Sequence, residues 1–171
     1  AADMFDAEYW PLERAKLGQV AKKPLARHVS VVTGGGSGIG AATARALAAD
    51  GSEVAVLDRD AKAAEAVAAE FGGLSVSCDV TDGRAVRRAF DQVVKRFGGV
   101  DIVVSNAGAA WQGRMGEVSD KMLRDSFELN FFAHQYVARN AVRVMEAQGT
   151  GGCLLFNASK QAVNPGRDFG P

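Results

Sequence analysis

From His28 onward the chain alternates two kinds of segment. Short runs rich in Val, Ile and Leu occur at 28–33, 53–58, 74–78, 100–105 and 152–157. They are apolar at successive positions, the pattern of strands covered on both faces of a sheet. Longer stretches between them predict helices over 38–50, 60–71, 82–97 and about 120–148. Gly51, Gly72-Gly73, Gly98-Gly99 and the run from Gly149 to Gly152 fall where helices stop. Asp82 and Ser119 are N-cap candidates. Strands alternating with helices predict an α/β fold, a doubly wound parallel sheet with right-handed crossovers. Ligands of such sheets bind beyond the carboxyl ends of the strands.

Residues 1–27 stand apart from this pattern. Phe5, Tyr9 and Trp10 precede Pro11, a charged stretch follows from Leu12 to Leu17, and Lys22-Lys23-Pro24 closes the segment. It reads as a linker or lead-in arm, which leaves 28–171 as one domain of sufficient size for a real core. The chain lacks an initiating Met, so a piece of a larger protein is expected. Its first residues are acidic and aromatic, unlike a signal peptide. A formal net charge of zero argues against a nucleic-acid surface or an anionic membrane partner. No apolar run is long enough for a membrane helix. The two cysteines, Cys78 and Cys153, sit in predicted strands. Buried, inert thiols in a reducing, cytoplasmic compartment are expected, and no disulfide framework. His28 and His134 have no spaced partners, so no metal site is expected.

The chemistry begins at Thr33-Gly34-Gly35-Gly36-Ser37-Gly38-Ile39-Gly40, which joins an apolar strand to an Ala-rich helix. Glycines permit positive φ and let a ligand approach backbone with no Cβ between. N–H groups at the helix start and the helix dipole favour a phosphate. Asp58 ends the second strand, eighteen residues after Gly40. That is close to the spacing of a carboxylate accepting hydrogen bonds from a ribose. It disfavours a 2′-phosphate, so NAD is expected over NADP. The neighbouring Arg59 pulls the other way, because a guanidinium accepts phosphate. A SAM-dependent methyltransferase shares this strand–glycine–helix start and remains a second enzyme class.

Further motifs follow in order: Cys78-Asp79-Val80-Thr81-Asp82, Ser105-Asn106-Ala107-Gly108, Leu129-Asn130-Phe131-Phe132 and Phe156-Asn157-Ala158-Ser159. With the glycine fingerprint they make residues 28–171 resemble the classical short-chain dehydrogenases/reductases. The resemblance implies a Rossmann-type sheet of order 3-2-1-4-5, with the family's last strands lying beyond this chain, which leaves strand 152–157 as an apolar edge prone to pairing. It implies cofactor contacts from Gly34, Ser37, Gly38, Ile39, Gly40, Asp58 and Arg59. Asp79 and Val80 would meet the adenine, and Asn106, Ala107 and Gly108 would border ribose and ring. Asp79 could instead cap a helix. Ser159 would donate a hydrogen bond to the substrate's oxygen, where negative charge grows during reduction. Asn130 would hold a water of a proton relay through its helix; a satisfied core amide is its plainer reading. A homo-oligomer is implied, the helix near 120–148 lying in the family's dimer interface.

The family's tyrosine acid/base and its lysine four positions later do not occur here. Counted from Ser159, the tyrosine would follow Pro171, so the 171 residues alone are not expected to catalyse efficiently. A non-catalytic nucleotide-binding module is the third reading. The lead-in from Phe5 to Leu17 and the tail from Phe156 to Pro171 further resemble the dehydrogenase half of rhamnulose-1-phosphate aldolase/alcohol dehydrogenase fusions. That resemblance implies an upstream aldolase domain and a small alcohol or aldehyde substrate such as lactaldehyde. Trp111, Gln112 and Arg114 follow the fourth strand and read equally as substrate border or loop anchor.

Overall fold

The computed structural model describes residues 23–169. The aromatic lead-in residues Phe5, Tyr9 and Trp10 lie outside that range. The last residues of the arm turn back on the domain, and the Leu25 N–H donates to the Asp50 carbonyl at 3.0 Å.

Five parallel strands form one sheet: β1 (Val29–Thr33), β2 (Glu53–Asp58), β3 (Leu74–Ser77), β4 (Ile102–Ser105) and β5 (Cys153–Phe156). Their order is β3-β2-β1-β4-β5, the doubly wound arrangement expected. Successive residues of a strand point to opposite faces, and two cores result. Val31 and Leu57 pack against α3 (Gly83–Phe97) and α5 (Ala133–Gln148), where Phe90 is fully buried. Val32, Val54 and Val56 pack against α1 (Gly38–Ala49) and α2 (Ala61–Ala69). Those two helices meet the sheet through Ala41, Ala44, Ala64 and Ala68. Small side chains bring α1 close to the sheet, and its N-terminus comes close to the end of β1.

Helix ends follow the sequence signals. The Asp82 carboxylate caps α3 by accepting from the Arg84 N–H, and Gly98 ends that helix in the left-handed region. Ser119 caps α4 (Asp120–Phe127) by accepting from the Met122 N–H. Gln148 clamps the end of α5 to the chain entering β4: its Oε1 accepts from the Val100 N–H at 3.0 Å and its Nε2 donates to the Val100 carbonyl at 2.8 Å.

Three expectations need correction. The helix over 120–148 is not a uniform α-helix, because Glu128–Phe132 forms a π-helical turn between α4 and α5. Cys78 is buried as expected, whereas Cys153 is exposed. The third concerns β5, which is not covered on both faces as its apolar run suggested, although its place as an apolar edge is the one expected. It is the sheet's edge among the described residues, and Leu155 and Phe156 are each 50% exposed. Cys153 is exposed for the same reason.

Candidate functional site

The carboxyl ends of β1, β2 and β4 bring most of the expected residues together. The chain leaves β1 at Thr33 and turns at Gly34 with φ of 62°. A Cβ at Gly40 would stand 2.1 Å from the Gly34 carbonyl oxygen, so only glycine lets α1 start this close to the turn. Gly38 also has positive φ, 51°, yet a Cβ there would meet no atom within 4 Å. The turn is therefore closed on its inner side and open at the start of α1.

That start is chemically distinct from the starts of α2, α3 and α4. Asp60, Asp82 and Ser119 each accept first-turn N–H groups through their side chains. Ser37, in the same position before α1, makes no such bond. The first-turn N–H groups of a helix have no intrahelical partner, so those of α1 are left for an external acceptor. Ser37 and Ile39 are exposed there.

Asp58 closes the site from β2. Its Oδ2 accepts from the Gly36 N–H at 2.9 Å and its Oδ1 from the Asp60 N–H at 3.0 Å. Each carboxylate oxygen can accept a second bond, so the pinned group still has capacity for hydroxyl donors. Arg59 is exposed beside it. Asp79 does not cap α3, which is the work of Asp82. Its Oδ1 accepts from the Thr81 N–H and Thr81 Oγ1, which leaves Oδ2 for a ligand's donor. The Val80 side chain is buried in the core, so any contact with a ligand falls to its backbone.

β4 carries the floor of the site. Thr33 Oγ1 accepts from the N–H groups of Asn106 and Ala107 at 2.9 and 3.1 Å. Asn106 Nδ2 donates to the Thr33 carbonyl at 3.0 Å, and Asn157 Nδ2 donates to Asn106 Oδ1 at 2.8 Å. Thr33 and Asn157 were not among the expected site residues. Thr33 could have been found as the first position of the glycine fingerprint; nothing in the spacing of Asn157 announces its contact.

Asn130 lies in the π-helical turn, a feature common at functional sites. Its amide is spent on the loop after β4: Oδ1 accepts from the Ala109 N–H at 3.1 Å and Nδ2 donates to the Ala109 carbonyl at 2.8 Å. Gly108 fits against this clamp, since a Cβ there would stand 3.2 Å from Asn130 Oδ1. Ser159 is exposed beyond β5, and its Oγ accepts from the Gln161 N–H. No hydrogen bond joins Ser159 to Asn130 among the described residues. An unforeseen pair forms beneath the end of β4, Ser105 Oγ and His134 Nδ1, 2.6 Å apart. Burial pushes His134 below the usual imidazole range.

Tyr136 does not supply the missing acid/base. It lies in α5, and Asn140, four residues on, donates to the Tyr136 carbonyl at 2.8 Å. Trp111 is half-buried, Gln112 is exposed, and Arg114 pairs with Glu117. Among the described residues no group of three or more His, Cys, Asp or Glu could hold a metal, and no helix is long and apolar enough to cross a membrane.

Comparison with known proteins gives the same reading. Residues 28–170 match the family model described as short chain dehydrogenase. The chain is 34% identical over 174 aligned residues to the uncharacterized oxidoreductase YuxG of Bacillus subtilis, covering 97% of this chain and 25% of that protein. It is 38% identical over 149 residues to the D-threitol dehydrogenase of Mycolicibacterium smegmatis, covering 82% and 55%. The chain thus spans a quarter to about half of these relatives. The crystal structure of 3-ketoacyl-(acyl-carrier-protein) reductase from Brucella melitensis, complexed with NADH, superposes with a TM-score of 0.80 at 30% identity, covering 85% of this chain and 62% of that one. The glycine turn, the Asp58 carboxylate and the order of the strands are thus the local signs of a match that runs over most of the sequence, and the chain belongs to the short chain dehydrogenase family.

Proposed function

We propose that this chain holds NAD for an oxidoreductase that moves a hydride between nicotinamide and the CH–OH carbon of a small alcohol, or the corresponding carbonyl. One observation carries the reading: Asp58 is pinned to the glycine turn by the Gly36 N–H while the start of α1 is left without a side-chain cap. A pyrophosphate fits the uncapped helix start, and a ribose diol fits the carboxylate. The bound nicotinamide supplies the hydride acceptor or donor. Asp58 disfavours a 2′-phosphate, which supports NAD over NADP.

In this reading Ser159 acts on the substrate oxygen. Its Oγ accepts from Gln161, so its own proton is left to donate where negative charge develops. The Asn130 side chain is engaged with Ala109, so its part in a proton relay falls to backbone. A π-helical turn departs from the regular α-helical ladder and can present a carbonyl to water. The family's tyrosine is the acid/base of this reading and is not one of the 171 residues.

The D-threitol dehydrogenase relative supports a small alcohol as substrate, and the resemblance of the lead-in and tail favours lactaldehyde within that class. Alignment of 97% of the chain with a much longer relative supports a larger protein with a further domain, for which the same resemblance suggests an aldolase. Exposed Phe127, Phe131 and Phe132 support a homo-oligomer. The small alcohol substrate and the NAD cofactor fit a cytoplasmic setting.

Titration of the 171-residue chain with NADH, NADPH and S-adenosylmethionine, followed by calorimetry, tests the reading. Saturable NADH binding, tighter than NADPH binding, is expected. Binding of S-adenosylmethionine without NADH would overturn it. Turnover of lactaldehyde against D-threitol by the natural full-length protein tests the substrate.

A further inference from the structure

The amide of Asn106 can sit only one way round. Nδ2 meets two carbonyl oxygens, those of Thr33 at 3.0 Å and Gly34 at 3.4 Å. Carbonyls accept only, so the NH2 end must point to them and Oδ1 must lie on the other side. There it accepts from Asn157 Nδ2 at 2.8 Å. Nδ2 also packs closely against the glycines of the turn. A Cβ at Gly40 would stand 2.7 Å from it and one at Gly34 3.1 Å. Asn106 therefore fits closely beneath the glycine turn. Asn157, for its part, is fixed at the end of β5, where its N–H donates to the Ser105 carbonyl at 3.0 Å. It stands two residues before Ser159.

We propose that Asn157 is a positioning residue for the cofactor turn: through Asn106 it holds the Thr33 and Gly34 carbonyls in place and ties the Ser159 end of β5 to the glycine turn. This rests on the reading of that turn as the NAD site. Removing the Asn157 amide leaves Asn106 Oδ1 to water, a mild change at an exposed position. A carboxylate there sets oxygen against oxygen. Asn106 escapes that repulsion only by reversing its amide, which then sets Oδ1 against two carbonyls at the turn.

The test is NADH titration of the 171-residue chain, with ligand-free thermal unfolding in parallel. Wild type is expected to bind saturably. Asn157→Ala should weaken binding about fivefold, the factor that one net hydrogen bond of ~1 kcal/mol gives. Asn157→Asp should weaken it roughly tenfold or more, with an unfolding temperature close to wild type. In an Asn106→Ala background Asn157→Asp should add nothing further, because the group it acts through is gone. Should Asn106→Ala fail to fold, amide exchange carries the same test. Protection of the Asn106 and Ala107 N–H groups, which donate to Thr33 Oγ1, should fall in Asn157→Asp. Absent NADH binding by wild type overturns the NAD reading and this inference with it. Saturable wild-type binding with an unchanged Asn157→Asp constant, an undiminished effect without Asn106, or unchanged amide protection overturns this inference alone.

Discussion

Alanine at Gly38 and alanine at Gly40 separate binding from folding at the same turn. At Gly38 the added methyl meets no protein atom within 4 Å, and the cost is its φ of 51°. A non-glycine residue in that region costs about 1 kcal/mol. In a domain of this size, that is a fall of about 2–4 °C in Tm. At Gly40 the methyl would stand 2.1 Å from the Gly34 carbonyl oxygen and 2.8 Å from its carbon, which are backbone and cannot swing aside. Overpacking of this kind costs about 3 kcal/mol, or roughly 6–12 °C. Binding should respond in a different order. The Gly38 methyl stands in the open space at the start of α1, where the proposed phosphate would approach the N–H groups. Losing charge-assisted bonds there costs about 2–3 kcal/mol, a weakening of roughly 30- to 160-fold. Thermal unfolding and NADH titration of both variants, at a temperature where each is folded, give the two axes. A folded Gly38→Ala protein that binds NADH within twofold of wild type would refute the cradle. A Gly40→Ala protein as stable as wild type would refute the close approach of α1 to the turn.

Asp58→Ala should weaken NADH binding about tenfold, the loss expected for a charged hydrogen-bond acceptor, while leaving NADPH binding unchanged or tighter; an unaltered ratio of the two constants counts against the ribose role. His134 is held below the ordinary imidazole value of about 6.5 by burial, so the unfolded chain takes up its proton first. Stability is then complete above that value and falls as the pH drops through it toward the lower native value; denaturant melts of His134→Asn between pH 8 and about 5 should show a flatter slope than wild type, and equal slopes would remove His134 as the cause. Asn130→Ala frees Ala109 at both its N–H and its carbonyl, so trypsin should cut after Arg114 faster than in wild type, with an unchanged cleavage rate as the contrary result. Gln148→Ala leaves both polar groups of Val100 without their partner and should cost about 2 kcal/mol of unfolding free energy; a loss under about 0.5 kcal/mol, the size of an ordinary surface change, would mean that water replaces the clamp.

The legible part of this protein is local. Continuous apolar runs mark strands that are covered on both faces, and β1, β2 and β4 are so covered because the helices pack on either side of them. Asp82, Ser119 and Gly98 act within a few residues of where they stand, so their caps can be read directly. The glycine fingerprint and the spacing to Asp58 are readable for the same reason: the turn and the strand after it are one βαβ unit. Where the chain's apolar runs misled, the cause was position in the sheet. Cys153 and Leu155 look like Val103 in composition of their surroundings, but β5 is an edge and β4 is not.

Contacts between segments far apart in sequence were decided only by the folded chain. The π-helical turn at Glu128–Phe132 has no sequence signature, and the engagement of Asn130 with Ala109 depends on how the loop after β4 lies against that turn. Asn106 is 73 residues from Thr33 and 51 from Asn157. Each is an ordinary polar residue at a strand end until the parallel register of β1, β4 and β5 sets the three ends side by side. Sequence alone determined the alternation of elements, the glycine turn and the carboxylate beside it, because backbone sterics and short-range spacing dictate them. The tertiary structure decided which amides lock that turn, because that depends on which chain segments become neighbours in space.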